Sequence, residues 1–158
     1  MKKIATVLSL VVLMGACKKK DSSPTPSTSS DPCKGKNLCF MLDGTQKSQN
    51  ANWVIITGSN PRNRISWEEG SGTSYKNIEI DFYGDTAGTY SIVASPVAGQ
   101  AGFQYYEAGG SANISGVSGS LKITKFDGTK VSGTFTCDAV DGAKTHKITE
   151  GNIVDVTK

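Results

Sequence analysis

Asn77-Ile78-Glu79-Ile80-Asp81-Phe82-Tyr83 alternates apolar and polar side chains without a break. A period of two puts Ile78, Ile80 and Phe82 on one face of a strand and Glu79, Asp81 and Tyr83 on the other. The first face is core and the second is wetted. The pattern recurs in Val131, Gly133, Phe135, Cys137 and Ala139, opposed by Ser132, Thr134, Thr136 and Asp138. Between that run and Leu121-Lys122-Ile123-Thr124-Lys125-Phe126 stands Asp127-Gly128-Thr129, where Asp and Gly tolerate the positive φ of a tight hairpin. Asp43-Gly44 and Asp141-Gly142 repeat the device.

Outward from these runs, about nine strands are expected, near residues 38–43, 52–58, 63–68, 76–83, 88–94, 102–107, 119–126, 130–140 and 144–156, with Gly151 as the point where the last would break. No amphipathic helix and no internal repeat interrupts them. A chain of 158 residues has room for one modest core. The expected fold is all-β, an antiparallel β-sandwich, with a small lipocalin-like β-barrel as the alternative.

The N-terminus carries an address. Lys2-Lys3 precede an apolar run from Ile4 to Met14, and Gly15-Ala16-Cys17 follows. This is a charged n-region, an h-region and small residues before a cut. The run is well short of the ~20 residues that cross a bilayer as a helix. Met14-Gly15-Ala16-Cys17 resembles the bacterial lipobox. That resemblance implies a signal peptide over residues 1–16, cleavage before Cys17, and acylation of its sulfur and its new amine. Several acyl chains, at about 0.8 kcal/mol per buried CH₂, give lasting attachment. Lys18 rather than Asp follows Cys17, so the resemblance implies the outer membrane, with its periplasmic and surface faces both open.

Residues 17–36 read as the lipidated cysteine and a flexible linker, because the stretch from Asp21 to Pro32 has no large apolar side chain with which to offset the entropy of ordering. Residues 37–158 form the expected β domain. They hold 10 basic and 12 acidic side chains, and no basic stripe interleaved with aromatics. Nucleic acid is therefore not an expected partner.

Gly119-Ser120-Leu121-Lys122-Ile123-Thr124-Lys125-Phe126-Asp127, Val131-Ser132-Gly133-Thr134-Phe135 and Ile148-Thr149-Glu150-Gly151 are similar to segments of a group of uncharacterised Bacteroidota lipoproteins. Gly88-Thr89-Tyr90 and an early strand ending in a turn like Asp43-Gly44 belong to the same likeness. These are strand and turn residues. The resemblance implies a fold and a location, and no activity.

Three cysteines follow Cys17, so one internal disulfide at most can form. Cys33–Cys39 closes a short local loop; Cys39–Cys137 would instead staple the first strand to a late one, and the short loop is preferred. Cys137 shares the parity of Val131 and Phe135 and reads as a small buried hydrophobe rather than a nucleophile served by the single histidine, His146. One histidine and few thiols make no zinc set. Asp81, Asp85, Asp138 and Asp141 show no calcium-loop spacing, and no phosphate-binding glycine loop is present, so no metal or cofactor is expected.

Glu79, Asp81 and Tyr83 are the candidate ligand-binding residues: a ring beside carboxylates grips sugar or peptide by stacking and hydrogen bonds. Alternate strand positions lie ~6.6–6.8 Å apart, near the carboxylate separation of glycosidases, so a hydrolase working from this face, with Glu68 and Glu69 nearby, is an alternative. A structural subunit that pairs by a sheet edge is the third. The leading expectation is a membrane-anchored, non-catalytic module of the cell envelope that binds a glycan, peptide or protein.

Overall fold

The computed structural model describes residues 31–108 and 112–158. The lipobox, Cys17 and the linker up to Ser30 lie outside the described residues. Ten strands follow in chain order: β1 (Leu38–Leu42), β2 (Thr45–Gln49), β3 (Asn52–Ile56), β4 (Arg62–Glu69), β5 (Lys76–Phe82), β6 (Gly88–Val93), β7 (Gln100–Glu107), β8 (Ala112–Phe126), β9 (Lys130–Val140) and β10 (Thr145–Thr157). All ten join one sheet, in the order β2-β1-β10-β9-β8-β6-β7-β5-β4-β3. The expectation of an all-β chain is met. The two-sheet sandwich is not, because this single sheet curls on itself into a half-barrel.

The curl has a local cause. β8, β9 and β10 run to 15, 11 and 13 residues, and their ladders slip at Gly116/Ser118, Ile123/Lys125, Ile148/Gly151 and Ile153/Val156. Each slip is a bulge that bends its strand and increases its twist. Glu150 and Asp155, at φ 53° and 46°, mark two of them. Gly151 thus bends β10 without breaking it. A Cβ there would stand 2.5 Å from the Phe135 carbonyl oxygen and 2.6 Å from its ring, so only glycine lets Phe135 close over the strand.

The sheet is also mixed. β6 and β7 run parallel, through Ser91↔Gln100 and Ile92↔Ala101. The long β8 makes this feasible, pairing first with β7 at Ala112–Ser115 and then with β6 at Ser118–Ile123. Alternation does not reveal β2, Thr45-Gln46-Lys47-Ser48-Gln49, because it is an edge strand with no apolar residue. The first half of β8 escapes too, because Ile114 is its only large inward side chain and Gly116 takes the next inward position.

Two aromatic nests fill the concave side. Phe40 meets Phe103, Tyr105 and Phe135 at centroid distances of 5.8, 5.9 and 6.0 Å. Trp53 meets Phe126 at 5.1 Å, and Phe82 meets Phe126 and Tyr90 at 5.9 and 5.4 Å. The compact unit begins at Asp31, so Asp31–Lys36, assigned above to the linker, belongs to the domain. The Asp31 carboxylate accepts from the Cys33 and Gly35 amides, and Cys33 is joined to Cys39. Cys137 is buried and unbridged, opposite Ile148 in the β9–β10 ladder.

Candidate ligand-binding site

Glu79, Asp81 and Tyr83 project from the outer face of β5 and its end, as alternation requires. Across the ladder Arg64 stands opposite Asp81, and Ser66 opposite Glu79. Arg64 donates Nε–H to Asp81 at 2.7 Å and an Nη2–H at 2.9 Å, and the same Nη2 lies 2.9 Å from Glu79 Oε2. Arg62 Nε donates to Asp81 Oδ2, the oxygen that also accepts from Arg64 Nη2, at 2.8 Å, and its guanidinium carbon sits 6.0 Å from the Tyr83 ring centre. Two carboxylates and two guanidiniums therefore form one neutral network. The fork of the Arg64 guanidinium suits the paired oxygens of Asp81, while Arg62 adds a single bond. Glu68 and Glu69 lie at the far end of β4, opposite Asn77 and Lys76. A groove of about 110 Å³ runs beside this network, past Pro96, Gly102 and Gln104.

Tyr83 also borders a second and larger space. A cavity of about 460 Å³ opens at the end of the half-barrel where β3, β5 and β8 finish and β4 begins. It lies within the volume that small ligands occupy in proteins. Ile55, Pro61, Ala98 and Phe126 give it carbon walls, with Asn63 set into them. Asn63 is 6% exposed and both ends of its amide are engaged. Its Oδ1 accepts the Trp53 indole N–H at 2.9 Å and its Nδ2 donates to the Gly84 carbonyl at 2.6 Å. The wall is thus held by polar groups that serve each other and not a ligand. Sequence alone does not expose this cavity, because its residues come from five separate segments and none forms a motif.

At the Phe40 nest, Glu107 is gripped by Lys76 at 2.9 Å, by Lys47 at 3.4 Å and by the Tyr105 hydroxyl at 2.7 Å. The hydrogen bonds from Lys76 and Tyr105 pull its carboxyl down to about 2, while burial and the same bond push the Tyr105 phenol up. Lys47 belongs to edge strand β2, so this cluster ties that edge to β7 across the concave side.

His146 is 6% exposed and lies between two hairpin turns. Its Nδ1 is 2.8 Å from Asp43 and its Nε2 3.1 Å from Asp141. Neither nitrogen is open to Cys137, whose thiol is pushed up to about 12 by burial. Three of the four aspartates weighed as calcium ligands go separate ways, Asp81 to the arginines, Asp138 to Lys147 and Asp141 to His146, and the fourth, Asp85, lies at the end cavity.

The hydrogen bond to Asp141, then that to Asp43, raises the His146 pKa, against the opposing effects of burial and Lys144. Lys147 donates its amide to Asp43 at 2.8 Å and so anchors the acceptor. A folded pKa above the unfolded value means stabilisation that is full below the unfolded pKa of about 6.5 and fades as pH climbs through the folded one. Both aspartates are shifted down, chiefly by the Lys147 amide for Asp43 and by His146 for Asp141, so their contribution fades only in acid, as pH falls through their folded values. The melting temperature should therefore decline as pH rises above about 6.5, and His146→Gln should flatten that limb. An unchanged decline in His146→Gln would refute the assignment, since this is the sole histidine.

Comparison with protein-family models, with curated proteins and with solved structures found no match to this chain.

Proposed function

We propose that this protein is a non-catalytic binding module of the cell envelope, held to the outer membrane by a lipid on Cys17, that seats its ligand in the end cavity beside Tyr83. The observation that carries the reading is the cavity itself: about 460 Å³, walled mostly by carbon, and bordered by the tyrosine that the sequence singles out. The glycan, peptide or protein expected as ligand would enter it with an apolar part. Hydrolysis from the outer face has less support. A general acid and a nucleophile or base need two carboxylates free to act, and Glu79 and Asp81 are both bound by arginines.

A second reading, a subunit that adds a strand to a partner, has one observation in its favour. Among the described residues β3 pairs only with β4, carries no charge, and leaves Val54 and Ile55 44% and 50% exposed. Such an edge is open to pairing. It predicts a stoichiometric partner that co-purifies from the envelope and is lost on Val54→Lys.

The test of the first reading uses full-length protein and Tyr83→Ala on glycan and peptide arrays. Tyr83→Ala should lower retention about tenfold or more while the melting temperature moves little, because the ring is only half-buried. Unfolding of Tyr83→Ala, or undiminished retention, would contradict it. Anchoring is checked separately. Palmitate label should enter the full-length chain and be lost in Cys17→Ser, and label retained by that variant would remove the lipid from the account.

A further inference from the structure

We infer that the end cavity selects an organic cation, an apolar body bearing one ammonium group. The inference rests on the cavity being the ligand site and adds the ligand's charge. Among the described lining residues only Arg62 and Asp85 carry charge. Arg62 is committed: its Nε donates to Asp81 and its Nη1 to the Asn60 carbonyl, at 2.8 and 3.4 Å. Asp81 in turn shares Arg64 with Glu79, so those four charges cancel within a few ångströms. Asp85 takes part in no ion pair or side-chain hydrogen bond among the described residues.

The uncompensated charge at the cavity is thus one carboxylate. It stands two residues from the Tyr83 ring, which lines the same space. An ammonium group is the ligand feature that the carboxylate would attract by charge, while the Tyr83 ring, already 6.0 Å from the Arg62 guanidinium, supplies apolar contact. The carbon walls take the apolar body, gaining free energy in proportion to the area removed from water. An anionic amphiphile would meet the reverse situation, with a free carboxylate to repel it and a guanidinium already bound elsewhere.

Three ligands of equal chain length separate charge from burial: octylammonium, octanol and octanoate, each titrated by calorimetry at pH 7 into the chain from residue 17 with Cys17→Ser. Octylammonium should bind about two- to fivefold tighter than octanol, the range of an exposed ion pair, and octanoate weakest. Asp85→Asn should bring the three together. High salt should do so as well, since exposed charges are screened. Equal binding of octylammonium and octanol, or tighter binding of octanoate, would overturn the cation preference while leaving the cavity as the site. If none of the three binds, the cavity reading falls and the cation preference falls with it.

Discussion

Trp53→Ala is expected to destabilise the fold by about 3–5 kcal/mol and to abolish ligand binding at temperatures where the chain stays folded. Trp53 is completely buried, and its indole meets Phe126, a wall of the end cavity, at 5.1 Å. Its N–H is the donor that satisfies Asn63 Oδ1. Truncation therefore leaves a void, an orphaned buried amide oxygen and a wall ring without support. An orphaned acceptor alone costs about 1–3 kcal/mol. Trp53→Phe keeps an aromatic ring in the site but removes the N–H together with the pyrrole part of the indole, so it tests loss of the donor with a smaller void than alanine leaves. Thermal denaturation and ligand titration on both variants check the claim. A binding constant unchanged in folded Trp53→Ala would place the ligand elsewhere.

Phe40→Ala should cost a similar amount, about 3–5 kcal/mol, and leave binding intact. Phe40 is 2% exposed and touches Phe103, Tyr105 and Phe135, from β7 and β9, across the concave side. It is the contact by which β1 holds the opposite wall. No member of this nest lines the end cavity. The two variants thus divide the molecule: loss at Phe40 loosens its own aromatic nest, and loss at Trp53 loosens both fold and site. Loss of binding in folded Phe40→Ala would mean that the two nests are not separate.

The alternation at Asn77–Tyr83 locates β5 and its inward face correctly, since Ile78, Ile80 and Phe82 are all buried. The same rule predicts the polar face with Glu79, Asp81 and Tyr83. It is silent about closure, because alternating strands suit a sandwich and a curled sheet equally. The deciding features are bulges in β8, β9 and β10, and in sequence a bulge shows only as a glycine such as Gly151, which reads as a break, or as a residue such as Asp155, which gives no signal. β2 escapes because an edge strand need not be apolar. The partners of Glu79 and Asp81 escape for another reason. Arg62 and Arg64 lie 15 to 19 residues away, and only the β4–β5 register brings them alongside. That register turns a candidate carboxylate pair into a neutral network and moves interest from the sheet face to the cavity at its end.

The clamp at His146 was equally hidden. Asp43 and Asp141 are legible as turn residues, and each does sit at a hairpin. Their second role, holding one imidazole from both sides, depends on β1 and β9 flanking β10.

The central claim is that the ligand seats in the end cavity, and amide chemical-shift mapping tests it most directly. Octylammonium is titrated into ¹⁵N-labelled chain from residue 17 with Cys17→Ser. The account predicts saturable shifts centred on Ile55, Asn63, Gly84, Asp85, Ala98 and Phe126. Shifts centred instead on Glu79, Gly102 and Gln104, or no saturable shift at all, would contradict it.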